Sequence, residues 1–142
     1  MKQLLIIGAG PYGLALAAYA KDHGLDFLLI GKPMEFRRRH MPRGMSLRSG
    51  ADWHLDPLAI HTFNAYLAEK NLNAEQVNPI PVAVFQEYAQ WFQKKYNLQP
   101  QPDFVRWLGA AQLGGPKFLS KQNVQRIANR SDEHYRRRIL NV

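Results

Sequence analysis

Four apolar residues in a row, Leu4-Leu5-Ile6-Ile7, stand close to the start of the chain. An unbroken run of this length predicts a strand buried on both faces. It stops at Gly8-Ala9-Gly10-Pro11-Tyr12-Gly13, and the pattern changes period. From Pro11 to His23, Leu14, Leu16, Ala17, Ala18 and Ala20 give a helix an apolar inner side, with small residues for close packing on a sheet. Gly24 is its C-terminal cap. Phe27-Leu28-Leu29-Ile30 then repeats the apolar run as a second strand. Strand, helix and strand in that order form a βαβ unit, whose parallel strands demand a right-handed crossover.

Beyond this unit the pattern loosens. Residues 33–56 are punctuated by proline and glycine and hold no lasting period, yet the stretch is too long for an idle connector. Apolar positions return at helical spacing from Pro57 to Lys70, with Asp56 placed as the N-cap. Asn71 to Pro81 reads as a linker. Val82 to Tyr96 is a further helix whose aromatics, Phe85, Tyr88, Trp91 and Phe92, fall at core spacing. Phe104 to Leu108 reads as a short strand. Residues 109–116 are glycine-rich, and residues 117–142 are polar and basic, with a helix pattern from Gln122 to Leu140. The division expected is an incomplete nucleotide-binding domain over 1–108 and a basic tail over 109–142. No internal repeat is visible.

The turn between the first strand and helix fits G-x-G-x-x-G. Gly8 lets the chain leave the strand sharply. Gly10 offers no side chain to keep a diphosphate from the backbone, and Gly13 lets helix and strand approach. Pro11 suits the first helical turn, where its missing N–H costs nothing. The remaining N–H groups and the helix dipole favour an anion over the loop. Two plainer readings stand beside this one. The turn is a packing device without a ligand, or Lys2, the apolar core and Ala18-Tyr19-Ala20 form a secretory signal. Proline and three glycines inside the apolar core speak against the signal. The second strand ends in Gly31-Lys32, where a dinucleotide fold usually places a ribose-binding acid. Lys32 suits a phosphate instead.

Composition narrows the field. The chain has 142 residues, enough for one domain with a core and too few for a two-domain oxidoreductase. It contains no cysteine, which removes disulfides and thiolate chemistry. No apolar run approaches the ~20 residues of a membrane span, and the cytoplasm is the default. The net charge of +8 gathers at Arg37, Arg38, Arg39, Arg43 and Arg48 and again at the C-terminus. Such runs hold phosphates, nucleic acid or acidic lipid, or are simply solvated. The five histidines show no metal-ligand spacing, and Asp52-Trp53-His54 comes without a nucleophile motif. No catalytic acid or base stands out.

Three stretches together, LLIIGAGPYGLALAAYA, FLLIGKPMEFRRRHMPRGMSLRS and FQEYAQWFQKKYNL, resemble the N-terminal part of FAD-dependent, NAD(P)H-using flavoproteins of the flavin monooxygenase-like and urate-hydroxylase-like kind. The likeness covers about Met1 to Leu108. It implies an α/β, partial Rossmann-like fold with one βαβ unit, added helices and a basic C-terminal segment. It also implies that Gly8, Gly10, Pro11, Tyr12 and Gly13 hold the FAD diphosphate. His40, Met41, Arg48 and Ser49 would approach the flavin end. The chain departs from the pattern at Arg37, where a tryptophan often stands. It also lacks the second dinucleotide-binding domain for NADPH and the late strand that closes the FAD site. The expectation is the FAD-binding portion of a longer oxidoreductase, truncated here, with a complementing subunit as a candidate source of the missing half. The alternative is a small basic module for nucleic acid or an acidic partner, which the glycine turn does not favour.

Overall fold

The computed structural model describes residues 2–111 and 115–120. The chain forms two compact units, Met1–Pro102 and Asp103–Val142. In the first, β1 (Leu4–Ile7) leads through α1 (Pro11–Asp22) to β2 (Phe27–Ile30). The two strands pair in parallel, from Leu4 opposite Phe27 to Ile7 opposite Ile30. The fold is thus α/β and Rossmann-like at its start. A parallel bridge between Ile30 and Gln101 adds a fragment of strand on the far side of β2.

α1 ends as its glycine requires. Gly24 takes a positive φ of 67°, its N–H donates to the Lys21 carbonyl, and the Leu25 N–H reaches back to Ala20. Leu14, Ala17, Ala18 and Ala20 are buried, but Leu16 faces outward and is exposed. The expectation of a doubly buried opening strand also needs correction. Ile6 is 4% exposed, whereas Ile7 is 50% exposed. Among the described residues β1 pairs only with β2, so one edge of β1 lacks the neighbour that would cover it.

Three further helices complete the unit: α2 (Glu35–His40), α3 (Phe63–Glu69) and α4 (Val82–Lys95), with a 3₁₀ turn at Glu75–Val77. α2 lies inside the stretch that showed no period. It is a short helix, and Glu35 braces it by pairing with Arg38 at 3.5 Å and Arg39 at 2.8 Å, three and four residues on. α3 starts six residues later than the spacing predicts. Thr62 is the N-cap, its hydroxyl accepting from the Ala65 N–H at 3.1 Å. Asp56 caps a turn instead. Its carboxylate gathers the N–H groups of Leu58, Ile60 and His61, and Ala59 adopts a φ of 55° to bring them round. N–H groups converging on one side chain cannot also run along a helix axis, so helix formation waits until Thr62.

α4 carries the core as its aromatic spacing implies. Phe85, Tyr88, Ala89 and Phe92 are buried together with Phe63 and Leu67 of α3 and Leu14 of α1. Tyr88 is fully buried. It meets Phe63 edge-on at 5.2 Å, donates its hydroxyl proton to the His61 carbonyl at 2.9 Å and accepts from the Leu55 N–H at 3.0 Å. Burial raises its pKa well above the usual tyrosine range.

In the second unit β3 (Val105–Ala111) and β4 (Gly115–Ser120) pair antiparallel, with an irregularity between Val105 and Trp107. The strand expected at Phe104–Leu108 continues through Gly109 to Ala111. These small residues carry no apolar alternation to mark them, and backbone pairing with Gly115–Lys117 extends the strand there. The helix pattern from Gln122 to Leu140 lies outside the described residues. No helix among the described residues is long and apolar enough to cross a membrane.

Candidate functional site

The corner where β1 gives way to α1 is built from backbone. Gly8 has a φ of 100°, a conformation that side-chain-bearing residues rarely adopt, and its N–H donates to the Ile30 carbonyl at 2.7 Å. That bond extends the β1–β2 pairing by one residue and fixes where the chain leaves the sheet. Gly13 is a packing glycine. A Cβ there would lie 1.8 Å from the Gly8 carbonyl oxygen, so α1 can rest on the strand end only without one. Gly10 is different. It is the residue before α1, has ordinary extended geometry, and a Cβ on it would meet nothing within 4 Å. Space over the backbone is therefore open at Gly10, and Gly8 is equally open.

The first internal bond of α1 runs from the Leu14 N–H to the Gly10 carbonyl at 2.9 Å. No acceptor among the described residues takes the N–H groups of Gly10, Tyr12 or Gly13. α1 has no side-chain cap and no acidic residue in its first turn. The Tyr12 ring is 86% exposed and does not fold over these donors. The positive end of a 12-residue helix thus carries unpaired amides, and the space over Gly10 is open. A diphosphate fits such a place because its oxygens accept several N–H bonds at once and its charge opposes the helix dipole.

A residue that pattern reading passed over completes the corner. Gly31, directly after β2, has a φ of 140°, and a Cβ on it would sit 2.7 Å from the Ala9 nitrogen. Its own N–H donates to Gln101 at 2.8 Å. Glycine is needed there because the end of β2 lies against the glycine loop. The signal was available as a glycine placed one residue beyond an apolar strand. The Met34 N–H donates to the Ala9 carbonyl at 3.0 Å, fastening the start of α2 to the same loop. Lys32 is placed between these two anchors, at the edge of the corner.

The other sequence candidates are less closely joined. His40 closes α2 and tilts its ring against Phe36 at 5.4 Å. Arg48 is exposed, while Met41 and Ser49 are partly covered. No hydrogen bond, ion pair or ring contact among the described residues links any of the four to Gly8–Gly13. Two hollows of the unit lie elsewhere. One of about 290 Å³ opens between Leu14, Met34 and Arg38 and the α4 residues Gln86, Ala89, Gln90 and Gln93. A groove of about 490 Å³ follows β2 beside Asn97 and Gln99. The glycine corner is open surface, able to grip a phosphate group but not to enclose a whole dinucleotide.

No protein-family model and no curated protein matches this chain. Among solved structures it is similar to the bacillithiol disulfide reductase Bdr (YpdA) from Staphylococcus aureus, with a TM-score of 0.60, 18% identity and 85% of this chain covered. It is equally similar in shape to the lysine monooxygenase NbtG from Nocardia farcinica, with a TM-score of 0.60, 19% identity and 76% covered. The matches take in 34% and 35% of those two chains, so this chain spans about a third of the length of each. At such identities the likeness speaks for the fold. The chain shares the Rossmann-like architecture of a portion of these oxidoreductases.

Proposed function

We propose that this chain is the FAD-binding portion of an NAD(P)H-dependent flavoprotein oxidoreductase of monooxygenase-like type. The observation that carries the reading is the set of unpaired amides at Gly10, Tyr12 and Gly13 at the positive end of α1, with open space over Gly10. In this reading they hold the FAD diphosphate, with Lys32 adding charge beside it. His40, Met41, Arg48 and Ser49 line the way towards the flavin. When bound, the flavin accepts hydride from the nicotinamide and passes electrons on. The chain's own residues bind and orient the ADP half.

Shares of 34% and 35% of the similar chains leave most of such an enzyme to other sequence. The NADPH-binding domain and the remaining walls of the flavin site belong to that part, whether in the same polypeptide or a complementing subunit. Alone, the chain holds the ADP half of FAD weakly, because its corner contacts one side of the ligand only. The purified protein, titrated with FAD while flavin absorbance and fluorescence are followed, tests this. Saturable perturbation of the flavin, competed by ADP, is the expected result. A folded sample that takes up neither FAD nor ADP contradicts the reading.

A further inference from the structure

α1 is apolar on both of its sides. Leu14, Ala17, Ala18 and Ala20 are buried against the core. The opposite side carries Tyr12, Leu16 and Tyr19, all exposed, and then His23, exposed directly after the last helical residue. Helix geometry turns Lys21 away from this side, and its Nζ donates to the Asn97 carbonyl at 3.1 Å. A helix face left to solvent ordinarily carries charge, whereas a helix apolar all round is ordinarily covered. The spacing says what kind of surface covers this one. Tyr12, Leu16, Tyr19 and His23 follow at intervals of four, three and four residues, the a/d pattern of a helix that lies along another helix.

Those intervals read the same in both directions. Two copies of α1 running antiparallel about a two-fold axis therefore match themselves, with Tyr12 of one copy opposite His23 of the other and Leu16 opposite Tyr19. The ends match in charge as well. The first turn of α1 holds no acidic residue, and the helix closes on the exposed Asp22. Antiparallel pairing sets the Asp22 carboxylate of one copy level with Gly13 at the positive end of the other, and it opposes the two helix dipoles. The Tyr19 and His23 rings are already stacked, with centroids 3.9 Å apart, so covering them costs little further ordering. We propose that the outward side of α1 is the seam of a two-fold pair, in which a second copy of this chain covers Tyr12, Leu16, Tyr19 and His23 with the same four residues. The pair needs no ligand and stands apart from the nucleotide reading. Four partly exposed side chains offer roughly 400 Å² per copy, against the ~800 Å² per partner of a durable interface. The association is therefore transient, with a Kd of roughly 10–100 μM.

Sedimentation equilibrium of the full chain, at concentrations from about 5 to about 500 μM, reads the association. The average mass should climb from one copy towards two. Leu16→Glu and Tyr19→Glu should each weaken the pair by roughly 10-fold or more, because each would bury an unpaired charge in the seam. Both should melt close to the parent chain, since both positions face solvent in the single copy. The chain has no cysteine, so introduced thiols report the orientation. Tyr12→Cys mixed with His23→Cys should form a disulfide between copies under air oxidation. Tyr12→Cys alone should not, because the antiparallel pair holds its two thiols roughly 16 Å apart. A chain that stays monomeric at the highest concentration overturns the proposal and leaves this side of α1 to a surface from other sequence. A pair that survives both glutamate substitutions overturns it too, as does Tyr12→Cys linking to itself as readily as to His23→Cys.

Discussion

Two places in this chain bring several backbone N–H groups together ahead of a helix, and they differ in whether the protein supplies an acceptor. At the turn before α3 the protein supplies it. The Asp56 carboxylate accepts from Leu58 and Ile60 at 3.0 Å, from His61 at 2.6 Å and from the Tyr96 hydroxyl at 2.9 Å. At the glycine corner the donors of Gly10, Tyr12 and Gly13 meet no protein acceptor among the described residues. The Asp56 cluster is closed, with the residue 2% exposed, whereas the corner is open. Donors already satisfied by the fold serve stability. Donors that the fold leaves unsatisfied, at the positive end of a helix, are free to serve a ligand.

The sharpest way to break the comparison is to remove the built-in anion. Asp56→Ala should cost about 3–5 kcal/mol, because it strands three N–H groups and the half-buried Tyr96 hydroxyl together. Chemical denaturation of both chains measures it. Acid should act in the same direction. Burial by itself would raise the Asp56 pKa, but the hydrogen bonds from His61, Leu58, Tyr96 and Ile60 outweigh it, and the group sits below its ordinary value. Its contribution is complete above the unfolded carboxylate pKa of ~3.9 and fades as the pH falls through the lower folded value. Melting temperatures between pH 6 and pH 3 should therefore drop, and Asp56→Asn should flatten that drop.

Next in size is Gly13→Ala. The added methyl group would overlap the Gly8 carbonyl, so α1 must lift from the strand, at about 1–3 kcal/mol. Thermal melting reads the loss, and ADP binding should fall with it because the amides move. Tyr96→Phe is smaller, about 1 kcal/mol, since it removes one donor from a carboxylate that keeps three others. Should Tyr96→Phe also change ADP binding, the two regions would not be independent as their geometry implies.

How much of this was legible depends on what kind of force holds each part. The βαβ unit could be read because consecutive apolar residues and glycines at fixed spacing are local signals. α4 could be read because Phe85, Tyr88 and Phe92 repeat at helical spacing and are buried on that face. The start of α3 could not. Asp56 before Pro57 has the look of a helix cap, and only the distant Tyr96 and the turn at Ala59 show that it serves another purpose. α2 was hidden by its brevity, although Glu35 followed by Arg38 and Arg39 marked one turn. Half-exposed Ile7 shows a further limit, since an apolar run implies cover without saying what provides it. In the corner itself, the sharp turn at Gly8 and the close approach at Gly13 were visible in the spacing. Gly31 emerges only once β2 is seen against the loop.

The smallest structural change carries the most direct test. A methyl group on Gly10 meets nothing in the protein and suits its backbone geometry, yet on the function proposed above it would stand where the diphosphate approaches. Gly10→Ala and the parent chain should be melted side by side, without ligand and with saturating ADP. The account predicts equal melting temperatures without ligand, within about 0.5 kcal/mol of stability, and an ADP-induced rise in the parent that Gly10→Ala lacks. An equal rise in both chains, or none in either, would contradict it.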